Sequence, residues 1–277
     1  MWGSLFFLAL ISFVVSSIIT LPHILAHLAH FNKPEFQNNI CKILILVLFI
    51  SLSNLTNTLS FEILRFTFML ISSLYTCYIV YCFLELVIKY TGSESKLLIN
   101  LEMKDQVKYP WPLYHIFGSF RPSYNFFNIV KVGLYQFMIV NSAYLFFANF
   151  LSFSTIYEFL GISAIFALVC FSLLYNIVED LIETFNAPVK FICIIGVVIL
   201  PALQKSVFGM LNSEISKSIE VILLSVEMIA FSMLNRYAFN YEELQDDLSP
   251  ILQPIKNSIV QNIKYLFTSE SKKSSLI

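Results

Sequence analysis

Charged residues are scarce in this chain of 277 residues, because Asp, Glu, Lys and Arg make up only 13% of it. Soluble domains carry about 25%. Hydrophobic residues account for 57%, and the mean hydropathy is +0.76. A core cannot absorb this much apolar surface, so lipid must receive part of it. The composition excludes an ordinary water-soluble protein and predicts an all-α, polytopic integral membrane protein.

Several motifs are missing as well. The net charge is −1 and the folded regions contain no block of basic residues, which excludes nucleic acid as a partner. The five cysteines include no CxxC pair, so they indicate neither a disulfide framework nor a zinc motif. No GxSxG, Walker or nucleotide-binding glycine pattern is present. We therefore predict a protein that is not an enzyme and has no cofactor and no metal.

Seven apolar stretches are long enough, or nearly so, to cross a bilayer, which takes about 20 residues in a helix. Turn signals bound several of them, including Pro22 after the first stretch and Asn186-Ala187-Pro188 before the sixth. The predicted transmembrane domain covers residues 1–240 and includes a cytosolic loop over 89–125, and a cytosolic tail over 241–277 follows it. The predicted spans are approximately 2–21, 43–59, 63–88, 126–150, 155–178, 191–208 and 219–239.

The distribution of Lys and Arg sets the predicted orientation, because basic residues beside spans favour the cytosolic side. With seven spans and the N-terminus outside, all 17 basic residues except Arg65, Lys205 and Lys217 fall on one side. We therefore predict an extracellular N-terminus and a cytosolic C-terminus. Residues 1–20 lack the basic start of a cleaved signal peptide, and cleavage would reverse the charge bias, so we interpret them as a span.

Polar residues from several spans are predicted to share one level of the membrane. At a rise of 1.5 Å per residue, these side chains lie about 15–20 Å from the inner edge. A carboxylate there must face the bundle or a wet cavity and needs a partner, which Gln204 or Gln136 could supply to Glu227. Carriers commonly hold cargo at this depth, although hydrogen bonds that only fasten helices are the alternative. The predicted substrate-binding residues are Glu227, Gln204, Gln136, Asn141 and Asn54.

Three histidines, His23, His27 and His30, would share one helical face if a helix continued past Pro22. Zinc in a hydrolase needs three protein ligands and an open position. The sequence has no HExxH and no acidic partner on that side beyond Glu35. We therefore expect these histidines to form an interfacial face rather than a metal site.

An ordered series of short motifs resembles the organic solute transporter alpha family, which includes the transmembrane protein 184 group. In the last span, Glu227-Met228 is followed by Tyr237, Phe239 and Tyr241, similar to the family's Glu-Met and Tyr-x-Phe-x-Tyr. Where the family has a charged pair in the third span and Arg-Pro in the fourth, this chain has Ser72-Ser73 and Asn141-Ser142. Further matches are Pro188, Lys190-Phe191, Cys193, Gln204, Lys131, Gly133 and Gln136.

The resemblance implies a seven-helix protein with an extracellular N-terminus. It also implies facilitated movement of an amphipathic organic solute, similar to a bile acid, a steroid conjugate or a lipid. The implied partners are membrane lipid, the amphipathic solute, and a small single-span beta-type subunit or further copies of the chain. A seven-helix receptor and a non-transporting scaffold remain alternatives, and the membrane of residence is either the plasma membrane or an endomembrane.

Overall fold

Seven long apolar helices dominate the computed structural model, which describes residues 2–110, 113–147, 153–182, 185–211 and 213–244. Each is long and apolar enough to cross a membrane, which confirms the predicted fold class. The predicted orientation stays a prediction. The membrane-spanning helices are α1 (Trp2–Ala29), α2 (Pro34–Asn57), α3 (Glu62–Tyr90), α6 (Tyr124–Phe147), α7 (Phe153–Val178), α8 (Ala187–Leu211) and α9 (Glu214–Ala238).

The helices pack side by side, and the first meets the last. Neighbouring pairs in sequence are in contact, α3 packs against α6, and α9 packs against both α1 and α2. Fully buried side chains such as Leu46, Ile79 and Phe137 fill the interior. The face of α1 that points away from the other helices exposes large apolar residues such as Phe7 and Ile18, as expected for a helix that contacts lipid tails.

Two helix boundaries differ from the predicted ones. α1 continues through Pro22 to Ala29, because a break in lipid would leave backbone groups unpaired, whereas a proline within the helix removes only one donor. α2 begins at Pro34 rather than at residue 43, since Pro is well suited to the first helical position. The Gln37 side chain accepts a hydrogen bond from the Lys33 backbone N–H (3.0 Å) and so supports this start. The polar residues before position 43 lower the local hydropathy, so the hydropathy pattern did not indicate the first turns of α2.

The loop after α3 contains short structured elements. Helix α4 (Glu94–Met103) starts at a Ser93 cap, and a small antiparallel pair, β1 (Val107–Lys108) with β2 (Ser119–Phe120), flanks the short helix α5 (Tyr114–Phe117). Lys104 forms an ion pair with Asp180 (2.8 Å) just beyond α7. The loop is therefore fastened to the end of the bundle that contains the ends of α3 and α7.

Glycines mark close contacts between the long helices, as small residues often do in membranes. A Cβ at Gly133 in α6 would meet Cys170 and Phe166 of α7, and one at Gly196 in α8 would meet Phe231 of α9. These glycines therefore set the helix separation.

Replacing Gly133 with leucine is expected to destabilise the protein, because the added side chain has no room between α6 and α7. Overpacking of this kind typically costs about 1–3 kcal/mol. Thermal unfolding in lipid nanodiscs measures the effect. Gly3→Leu is the matched control, because Gly3 is exposed and nothing lies within 4 Å of an added Cβ. Equal stability of the two variants would contradict this packing role.

Two of the three histidines fasten α1 to the end of α9. The Nε2 atoms of His23 and His27 lie 2.9 and 2.7 Å from the Phe239 carbonyl oxygen. A carbonyl can only accept, so each ring donates an Nε2–H to it. The expected interfacial face is wrong for these two residues, since both are buried. They instead satisfy a backbone oxygen at the end of a helix, where carbonyls lack intrahelical donors.

A buried ion pair holds the segment that follows α9. The Lys190 ammonium donates to both carboxylate oxygens of Glu243, at 2.9 and 2.7 Å, and also to the Phe185 carbonyl. It lies 5.6 Å from the Tyr90 ring centre. The side chains of Lys190 and Glu243 are 3% and 21% exposed. Residues 241–244 of the predicted tail therefore belong to the folded domain, while 245–277 lie outside the described residues.

Candidate functional site

A polar cavity opens inside the bundle at the end where α2 stops and α3 begins, which the orientation prediction places outside. Its volume is about 80 Å³. Five of the long helices, α2, α3, α6, α8 and α9, contribute to its wall. The polar lining residues are Ser53, Asn54, Asn57, Ser72, Ser73, Thr76, Asn141, Tyr144, Lys205 and Glu220.

The remaining wall of this cavity is apolar. Ile50 and Met69 come from α2 and α3, and Val198 and Leu224 come from α8 and α9. A solute placed here would meet hydroxyl, amide and charged groups as well as hydrocarbon. The lining is thus amphipathic.

Pro201 lies within α8 and lines the cavity together with Val197. A proline has no N–H to donate to the carbonyl four residues earlier, which here is that of Val197. In membrane proteins such interruptions are found where the backbone borders a cavity or can find another partner. The carbonyl of Val197 therefore lacks its usual helical donor.

Lys205 and Glu220 bring opposite charges to the cavity. Each lies six residues, or about 9 Å, from its end of the α8–α9 hairpin. The Lys205 ammonium lies 5.1 Å from the ring centre of Tyr144 and interacts electrostatically with Glu220. Lys205 thus places a cation beside the cavity, next to the ring of Tyr144.

Two of the five predicted binding residues, Asn54 and Asn141, line this cavity. Asn54 Nδ2 donates to Ser225 Oγ (3.0 Å) and to the Val221 carbonyl (3.1 Å). Asn141 Nδ2 donates to Ser73 Oγ (3.2 Å). Both asparagines are nearly fully buried. Their amides therefore link α2 to α9 and α6 to α3 while facing the cavity.

The other three predicted residues lie elsewhere. Gln204 Nε2 donates to Glu227 Oε1, which confirms one of the two partners considered for that carboxylate. Gln136 does not reach Glu227, since its Nε2 donates to Ser163 Oγ at 2.9 Å. The polar residues predicted to share one level therefore do not form a single site. They form separate hydrogen-bonded pairs, each between two neighbouring helices.

Lys205, Glu220, Thr76 and Tyr144 were not among the predicted site residues. One signal could have indicated the two charged ones. They lie seven and eight residues on either side of position 212, between two predicted spans. Two helices joined by a short turn run antiparallel, so residues at equal distances from the turn come to the same level. Thr76 and Tyr144 carry no comparable signal.

Comparisons with known proteins agree with the architecture. Residues 5–244 match the family model described as organic solute transporter Ostalpha. A transmembrane protein 184 homolog of Dictyostelium discoideum is 26% identical over 279 residues, which cover 88% of this chain and 53% of the relative. Protein LAZ1 homolog 1 of Arabidopsis thaliana is 21% identical over 273 residues, which cover 82% of this chain and 55% of the relative.

The chain spans about half the length of the curated relatives it matches. No solved structure matches it significantly. The family match covers almost every described residue, including the helices that line the polar cavity. The resemblance drawn from short motifs is confirmed. This chain is a multi-pass, transporter-like membrane protein that belongs to the organic solute transporter Ostalpha family.

Proposed function

We propose that this domain moves an amphipathic organic solute, similar to a steroid conjugate, a bile acid or a lipid, across its membrane without changing it chemically. The single observation that carries the proposal is the amphipathic cavity between α2, α3, α6, α8 and α9. The polar group of the solute binds there, and its apolar body lies against the hydrocarbon part of the wall.

The cavity favours an anionic polar group. Lys205 is the cation that lines it among the described residues, and the amides and hydroxyls around it can donate hydrogen bonds. Glu220 also lines the cavity, but no ion pair within 4 Å joins it to Lys205. A sulfate or carboxylate would therefore be bound by Lys205 together with groups such as the Asn141 amide.

The size of the cavity indicates that transport requires movement of helices. Its volume of about 80 Å³ suits several water molecules or one polar group. Pockets that enclose whole drug-sized ligands measure about 300–1,000 Å³. The described conformation is thus a closed one, and the helices around the cavity separate to admit the body of the solute.

Flux measurements with Lys205 variants test this site. Purified full-length protein is reconstituted into liposomes, and uptake of a radiolabelled steroid sulfate is followed against liposomes without protein. Lys205→Gln is expected to reduce uptake at least about tenfold, because hydrogen bonds to a charged group contribute about 1.5–3 kcal/mol. Lys205→Arg should retain uptake, since it keeps the charge.

Lys217→Gln is the matched control, because Lys217 belongs to the same hairpin and its side chain is 49% exposed. Uptake in this variant should equal that of the wild type. Equal uptake by Lys205→Gln and Lys217→Gln would remove Lys205 from the site. If uptake appears only when a single-span subunit is reconstituted together with this chain, the carrier consists of both proteins. Absence of uptake under both conditions would contradict transport and favour the scaffold alternative.

A further inference from the structure

Glu227 and Gln204 form a pair in the middle of the membrane-spanning region, outside the polar cavity. Gln204 Nε2 in α8 donates to Glu227 Oε1 in α9. Glu227 is 13 residues from the first residue of α9 and 11 from the last, or about 20 and 16 Å at 1.5 Å per residue. Water at either membrane surface is therefore distant from this carboxyl group.

Each member of the pair has one side-chain oxygen with no hydrogen-bond partner. Glu227 Oε2 and Gln204 Oε1 are both buried and unpaired. An unsatisfied buried acceptor typically costs about 1–3 kcal/mol. Two acceptor oxygens cannot satisfy each other, because neither carries a hydrogen. One proton bound to Glu227 Oε2 would change this, since the resulting O–H could donate to Gln204 Oε1 and close a ring of two hydrogen bonds.

The surroundings provide no counter-charge for an ionised Glu227. Lys205 directly follows Gln204 in the sequence, but its ammonium lies at the cavity, 5.1 Å from the ring centre of Tyr144. No described titratable group on the helices packed against this site contacts the carboxyl group of Glu227. Those groups are His23, His27 and His30 at the end of α1, Glu35, Cys41 and Lys42 on α2, Tyr157, Glu158, Cys170 and Tyr175 on α7, Lys190, Cys193 and Lys205 on α8, and Glu214, Lys217, Glu220, Arg236 and Tyr237 on α9.

A charge at this depth costs about 2.5–3.5 kcal/mol on insertion scales. The neutral acid avoids that cost and also satisfies both unpaired oxygens. A metal cation would fit less well, because such ions usually take six or more oxygen ligands and the pair offers two free ones.

We infer that Glu227 is a proton-binding site, in which one proton from the aqueous phase bonds to Oε2 and is held by Gln204 while α8 and α9 are packed together. When the two helices separate, the acceptor is lost and water reaches the carboxyl group, so the proton is released. Proton occupancy thereby becomes linked to the packing of α8 against α9. The effect on transport rests on the proposed function, whereas the proton site itself does not.

Infrared spectroscopy of the full-length protein in nanodiscs tests the site directly. At neutral pH the wild type is expected to show a carboxylic acid C=O band that is absent from Glu227→Gln. Glu220→Gln, the matched control in the same helix, should retain the band. Gln204→Leu should shift its frequency, because the acceptor for the acid proton is gone. Identical wild-type and Glu227→Gln spectra in this region would overturn the proposal.

Stability gives a second readout, because glutamine at position 227 can donate its own N–H to Gln204 and reproduce the ring without a proton. Glu227→Gln should therefore unfold at the same temperature as the wild type at neutral pH. A variant that unfolds much earlier would show that the native site holds a carboxylate. Stabilisation of the wild type by sodium ions, with no dependence on pH, would replace the proton by a cation and also overturn the proposal.

Transport adds a third readout that separates the two proposals. Wild-type uptake of the steroid sulfate should vary with pH, and uptake by Glu227→Gln should not. If the infrared band is present and no variant transports, the proton site holds and the proposed carrier function fails. If uptake is strong and the band is missing, the carrier function holds and the proton site fails.

Discussion

Replacing Glu243 with alanine is expected to destabilise the domain by about 3–5 kcal/mol, the usual effect of removing one partner from a buried ion pair. The loss leaves the Lys190 ammonium, which is 3% exposed, without its carboxylate. The Phe185 carbonyl and the ring of Tyr90 remain near it, but neither carries a negative charge. Unfolding of the full chain in mixed micelles, followed by titration with denaturing detergent, measures this free energy.

Removing the lysine of this pair instead of the glutamate is expected to lower the free energy of unfolding by less. Lys190→Met leaves Glu243, which is 21% exposed and can regain water at the end of the bundle. Glu94→Ala is the control, because it breaks the more exposed Lys131–Glu94 pair, with side chains 20% and 48% exposed. Surface pairs contribute about 1 kcal/mol or less. If Glu243→Ala were no more harmful than Glu94→Ala, the buried pair would not stabilise the fold.

Replacing Ser72 with phenylalanine is expected to reduce solute uptake to the level of liposomes without protein. Ser72 lies in α3 and faces the cavity, whose volume of about 80 Å³ cannot hold both an added ring and the polar group of a solute. Overpacking at this position is expected to cost about 1–3 kcal/mol, so uptake is measured on protein that thermal unfolding shows to be folded. The measurement is uptake of radiolabelled steroid sulfate in proteoliposomes.

Ser72→Ala is the matched control, since it removes the hydroxyl and leaves the cavity open. It should transport nearly as well as the wild type. Full uptake by the folded Ser72→Phe protein would mean that the solute takes another route.

The seven helices were predictable because each long apolar run has to cross about 30 Å of hydrocarbon. Their ends were less predictable, as α2 shows. Its first turns carry Gln37, Asn39 and Lys42, which interrupt the hydropathy pattern although the backbone remains helical. Hydropathy detects contact with lipid, and a helix that extends beyond the lipid leaves no such signal.

The candidate site was only partly predictable. Depth follows from counting residues along a helix, so Asn54, Asn141, Gln136, Gln204 and Glu227 could be assigned a level. Which helix each side chain faces depends on packing angles that no local pattern encodes. Asn54 therefore joins Ser225, and Gln136 joins Ser163 rather than Glu227.

The contact between α1 and α9 has a consequence for synthesis of the protein. Ser12 Oγ donates to the Ser225 carbonyl across 213 residues of sequence. At about 5–20 residues per second, the ribosome needs about 10–40 s to make that stretch. During this time the hydroxyl of Ser12 lacks its partner on Ser225. Of the two helices that pack extensively against α1, only α2 has been made. The domain thus closes when its last helix is inserted, and a chain arrested before α9 should expose its first helix to quality control.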